Sequence, residues 1–204
     1  MSGVARLRRL AASNGSTATD SPAPEGERCD LCGRAISEDH RHLLHLGERR
    51  IECACEACIA MRAGADEYRP VGTRVAWLPD LVLDDERWAS FGIPIGLAFF
   101  MRSTISAGVV AMYPSPAGPT ESELDLSAWD RLVADNPVLT TLEADVEGLI
   151  VDRKATPHRH VIAPIDECYR LVGLVKVAWE GISGGAALEG ALEGYFAELE
   201  ERAG

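Results

Sequence analysis

Six cysteines carry most of the chemistry open to this chain, and five of them fall between Cys29 and Cys58. Four are spaced as Cys29-x2-Cys32-x22-Cys55-x2-Cys58. Two residues between the members of a pair let both sulfurs reach one ion at about 2.3 Å, and two such pairs supply the four soft donors that tetrahedral zinc takes. Gly33, directly after Cys32, suits a knuckle in which backbone amides turn toward the sulfurs and φ is positive. Cys29, Cys32, Cys55 and Cys58 are therefore expected to hold one metal ion, zinc first and iron as the alternative. Cys53 is one thiol more than the set needs. It could replace Cys55, join the others around an iron–sulfur cluster, or fill the inner face of a hairpin as a small hydrophobe. The last is the expectation, because free cysteine is among the most buried residues. His40, His42 and His45 could also ligate, but with four cysteines at hand they are expected to be surface strand residues.

The elements that must position these thiols follow from the intervening pattern. Arg41–Leu46 and Arg49–Ala54 read as strands, with Gly47-Glu48 between them as a type II′ turn. Cys55 then opens a short helix, Cys55–Arg62, that Gly64 ends. The partial positive charge at a helix start favours the thiolate. This order of knuckle, hairpin and helix start resembles the treble-clef zinc finger over residues 28–64, and CDLCG is similar to a rubredoxin knuckle. Rubredoxins repeat the knuckle glycine after the second pair, whereas Ile59 follows Cys58 here, which favours zinc.

Beyond the cysteines, three regions are expected: a disordered tail at 1–27, rich in Ser, Thr, Gly and Pro; the metal module at 28–64; and a main domain at 65–204. In the last, the pattern predicts a strand near Thr73–Leu78 and a helix capped by Asp84 and stopped by Gly92. A hairpin of Ile95–Ser103 with Gly108–Tyr113 should follow. A helix opened by a Ser127 capping box comes next, then strands at Leu149–Arg153 and His160–Pro164. Two C-terminal helices are marked by Tyr169, Val172, Val175 and Trp179, then by Leu188, Leu192, Tyr195 and Leu199. Strands and helices without strict alternation give an α+β class.

The segment Tyr113-PSPAGPTESE-Leu124 is stiffened by Pro114, Pro116 and Pro119. It reads as a rigid connection or as a recognition loop. In the second case Ser115, Pro116, Glu121 and Ser122 carry the partner contacts, since stiffness lowers the entropy lost on docking. His158 and His160 are expected in an exposed turn, and Cys168, on an apolar helical stripe, in the core.

Charge excludes some classes. The net charge is −12, and residues 51–204 hold twenty-five acidic against twelve basic residues. That field repels nucleic acid and anionic membrane. No run reaches the roughly 18 apolar residues of a membrane helix, and the N-terminus lacks a secretory pattern, so a cytoplasmic protein is expected. No phosphate loop, GxSxG or HExxH is present, so nothing positive points to an enzyme.

Taken together, CDLCG, IECACEACI, IPIGLAFFMRS, YPSPAGPTESEL and NPVLTTLEADVEGLIV resemble an uncharacterised bacterial family encoded beside uptake [NiFe]-hydrogenase genes. The resemblance covers most of the chain beyond residue 27. It implies an accessory, maturation or electron-transfer role near a hydrogenase, with a hydrogenase subunit or precursor as partner, and it carries no catalytic residue across.

Overall fold

The alternation in Arg41–His45 places Leu43 on one side of a strand and Leu44 on the other, and both are buried. In the computed structural model, which describes residues 26–204 except 116, 123 and 181–183, this strand is β1. It pairs antiparallel with β2 (Arg50–Ala54) on one edge and with β3 (Tyr68–Pro70) on the other. Helix α1 (Glu56–Arg62) follows β2. Leu43, Ala54, Ile59 and Tyr68 form a small core of their own, whereas Leu44 and Leu46 belong to the main core. Strand β1 is thus a wall shared by the cysteine sheet and the rest of the molecule.

The second sheet has six strands in the order β4-β9-β8-β5-β6-β7, every neighbouring pair antiparallel. They are β4 (Ala76–Trp77), β5 (Leu97–Ser103), β6 (Gly108–Ser115), β7 (Gly118–Ser122), β8 (Glu147–Asp152) and β9 (Arg159–Pro164). Around them lie α2 (Asp85–Ser90), α3 (Leu126–Asp135), a 3-10 turn (Pro137–Thr141), α4 (Ile165–Ala178) and α5 (Gly185–Ala203). The central strands are apolar without alternation because both faces are covered. Phe99, Met101, Ile150 and Val161 pack with Leu171, Val175 and Tyr195 of α4 and α5. Ala98, Phe100, Leu149 and Ile162 pack with Phe91, Trp129, Leu132 and Leu139 on the other side. Each such large side chain contributes roughly 1.5–3 kcal/mol by leaving water. Helix α4 lies so close to β8 that a Cβ on Gly148 would sit 2.7 Å from the Cys168 sulfur. Cys168 is a fully buried core residue, as expected, and burial pushes its thiol pKa well up.

The class is α+β, as the sequence predicts, and several local expectations change. The β1–β2 connection is a four-residue turn, Leu46 to Arg49, closed by the Arg49 amide on the Leu46 carbonyl at 3.4 Å. Its positive φ, 49°, falls on Arg49, so it is not a two-residue turn led by Gly47. Helix α3 is capped by Asp125, whose carboxylate accepts from the Ser127 amide at 2.9 Å, and not by Ser127. The proline-rich segment is no loop. Strand β6 runs to Ser115, and β7 returns with Pro114 opposite Pro119. Proline is tolerated there because β7 is the edge of the sheet and needs no outward hydrogen bond. His158 is exposed, but His160 is 5 % exposed, in β9. The expected tail at 1–27 falls, apart from Gly26 and Glu27, outside the described residues.

Candidate metal centre

The first cysteine pair sits on a tight knuckle. The Gly33 amide donates to the Cys29 carbonyl at 2.8 Å and the Cys29 amide to the Arg34 carbonyl at 2.8 Å. Gly33 has φ 72°, the left-handed region its lack of a Cβ makes accessible. The knuckle is tied to β2 at two points: the Asp30 amide donates to the Cys53 carbonyl at 2.9 Å, and the Cys53 amide to the Asp30 carboxylate at 2.7 Å. The second pair straddles the start of α1. Cys55 is its extended N-cap residue, and Cys58 lies in its first turn.

These two supports bring the four sulfurs of Cys29, Cys32, Cys55 and Cys58 within 4.8 Å of one another, with Cys32 and Cys55 at 3.7 Å. A tetrahedron of metal–sulfur bonds of about 2.3 Å has sulfur–sulfur edges of about 3.8 Å, so the cluster fits one zinc-sized ion. Cys29 and Cys55 are buried, whereas Cys32 is exposed.

Their electrostatics suit a cation. Burial opposes ionisation of Cys29, but hydrogen bonds from the backbone of Cys55, Cys32 and Leu31 outweigh it and hold its pKa at about 6. A backbone hydrogen bond from Cys58 lowers Cys55. Cys58 is pushed up to about 12 by burial, by its hydrogen bonds to the other thiols and by the charge on Cys29. Opposed shifts of this kind arise when several thiols share one small volume: the amides stabilise the first negative charge, which then resists the next. A divalent ion removes that repulsion.

Cys53 is not part of this group. It is half-buried opposite His42 in the β1–β2 register, on the face toward α4, and does not simply fill an apolar face. Burial first, then the charges of Asp30, Glu27 and Cys29, raise its pKa. The histidines before and in β1 also depart from expectation. The His40 side chain is only 8 % exposed, and Nδ1 of His42 donates to the Asp166 carboxylate of α4 at 2.7 Å. His45 packs edge-on against Tyr68 at 5.0 Å. The period of two in His40-x-His42 was a legible signal for a shared face, but Asp166 lies 124 residues away and no local pattern announces it.

Of the residues suggested for partner contacts, Ser115 and Ser122 are used internally. Ser115 donates to the Gly118 carbonyl at 2.9 Å and Ser122 to the Phe91 carbonyl at 3.3 Å. Glu121 is exposed and accepts from Arg49 at 3.0 Å, linking β7 to the β1–β2 turn. Pro116 lies outside the described residues. No helix among the described residues is long and apolar enough to cross a membrane.

Residues 28–203 match a family of unknown function, DUF5947, and the chain belongs to it. No curated protein and no solved structure matches the chain.

Proposed function

We propose that this member of DUF5947 is a non-enzymatic accessory protein that holds zinc through Cys29, Cys32, Cys55 and Cys58. Its role would be to assist maturation or assembly of a [NiFe]-hydrogenase in the cytoplasm through protein contacts. The observation that carries the metal reading is the convergence of four sulfurs from a knuckle and a helix start within 4.8 Å. Four protein thiolates complete a tetrahedron and leave no position for a substrate, which is the pattern of a structural site. When bound, the ion supplies folding free energy and charge neutralisation to its ligands. The knuckle–hairpin–helix order resembles a treble clef. The hydrogenase role rests on the sequence resemblance in CDLCG and YPSPAGPTESEL.

The contact surface we assign is the free edge of β7, where Glu121 is exposed. An edge strand offers unpaired backbone groups to a partner. Affinity purification of the tagged full chain from its native host tests both halves. A colourless zinc protein with a hydrogenase subunit or precursor attached is expected. A red, redox-active iron protein would replace this reading with a rubredoxin-like electron carrier, since an S4 donor set also takes iron. Recovery of the chain without any hydrogenase component would refute the accessory role.

A further inference from the structure

We infer that the chain carries a second transition-metal site, built from His40, His42 and Cys53, that takes one exchangeable divalent ion of borderline softness. The three residues bring two ring nitrogens and a sulfur within 4.8 Å of one another. Strand geometry produces the cluster. His40 and His42 are two apart, so their side chains share a face, and Cys53 lies directly opposite His42 on β2. Two imidazoles and one thiolate form a donor set suited to zinc, cobalt or nickel in the divalent state.

Independent support comes from the outer contacts of the two imidazoles. Nδ1 of His40 is 2.9 Å from the Glu27 carboxylate and 2.9 Å from the Ser37 carbonyl. Its Nε2 is buried and has no hydrogen-bond partner among the described residues. Nδ1 of His42 is held by the Asp166 carboxylate at 2.7 Å. Metal-ligating histidines show this arrangement: one ring nitrogen is fixed by a carboxylate or carbonyl, and the other is left for the ion. An unpartnered buried nitrogen is otherwise unfavourable, and a bound ion would satisfy it. With three protein donors the fourth position is open to water or to a donor from another molecule, unlike the closed set of four thiolates. A surface cavity of about 280 Å3, lined in part by His42 and Asp166, lies beside the Asp166 contact of His42.

The site stands independently of the four-cysteine centre, and the test separates them. The full-length chain is titrated with zinc and, in parallel, with cobalt(II), and bound metal is counted after gel filtration. The wild type should hold two equivalents, one tight and one readily removed by a mild chelator. His40→Ala and Cys53→Ser should each keep the tight equivalent and lose the labile one. With cobalt, the labile equivalent should add thiolate-to-metal absorption that Cys53→Ser removes. Asp166→Asn should weaken the labile equivalent about 10- to 100-fold while leaving the tight one unchanged. Retention of the tight equivalent shows that each variant is folded around the cysteines. One equivalent in the wild type, or two in both His40→Ala and Cys53→Ser, would overturn the second site and leave the first. Loss of both equivalents in Cys53→Ser would also overturn it, by assigning Cys53 to the cysteine centre.

Discussion

The six-stranded sheet is packed on both faces, with Phe99, Met101 and Ile150 on one and Phe100, Leu149 and Ile162 on the other. Among the described residues, the three-stranded sheet has a small private core of Leu43, Ala54, Ile59 and Tyr68, with Leu31 and Ala65 packed against it, and it joins the main core through Leu44 and Leu46. A segment below roughly 40 residues cannot bury enough apolar surface to hold itself together and usually needs a metal or disulfides. None of the six cysteines is in a disulfide. Apolar burial is the main support of the large sheet, and under the proposed reading four thiolates on one ion would supply what the small sheet lacks. The two regions should therefore fail under different perturbations.

The sharpest way to separate them is Cys29→Ser. Binding of structural zinc is worth about 10–16 kcal/mol in small modules, so losing one of four ligands should abolish protection of β1 and β2 against hydrogen exchange. Strands β5, β8 and β9 should stay protected, with some loosening of the main core that Leu44 and Leu46 join. Equal protection of β1 in variant and wild type would show that the small sheet does not depend on the four thiolates.

Phe100→Ala is the converse. Phe100 is fully buried, stacked on Trp129 at 5.6 Å and tilted against Phe91 at 5.0 Å. Its truncation should cost about 3–5 kcal/mol of global stability while metal content, measured by elemental analysis, stays at the wild-type value.

Acid should also act on the large sheet. Burial first, then the charges of His158 and Arg153, hold the His160 pKa at about 4 instead of 6.5. Both of its ring nitrogens lack hydrogen-bond partners among the described residues. Above pH 6.5 the imidazole is neutral in both states and contributes no slope. As pH falls from 6.5 to 4 the unfolded chain takes up the proton first, so stability falls, by at most about 3 kcal/mol. Denaturant midpoints at pH 7 and pH 4.5 should differ less in His160→Gln than in the wild type; equal differences would assign the loss to other groups.

Gly148→Ala probes a close approach of α4 to the sheet. The new Cβ would meet the Cys168 sulfur at 2.7 Å, which should cost about 1–3 kcal/mol. Adding Cys168→Ala should recover much of it, and a thermal melt of the double variant reads the recovery. No recovery would place the strain elsewhere.

The same contrast explains what could be read in the residues alone. The cysteine spacing was legible because metal chemistry dictates it locally, and β5, β8 and β9 because their apolar runs are long. Strand β7 was hidden by Pro114, Pro116 and Pro119, which suggest a loop until the sheet order shows that β7 is an edge. Strand β3 has three residues, too few for a periodic signal, whereas the two residues of β4 lie inside the strand expected near Thr73–Leu78. The roles of His40, His42 and Cys53 depend on partners at Glu27 and Asp166, one on each side of the hairpin in sequence. Burial of His160 was missed because its neighbour His158 is exposed and the pair read as one turn.

We propose that a metal held by four thiolates supports the small sheet. Hydrogen exchange on the full-length zinc-loaded chain, before and after removal of the metal by a strong chelator, tests it most directly. Amides of Arg41–His45 and Arg50–Ala54 should lose protection on metal removal while those of Leu97–Ser103 and Glu147–Asp152 keep theirs. Unchanged protection across β1 and β2 in the metal-free chain would contradict it.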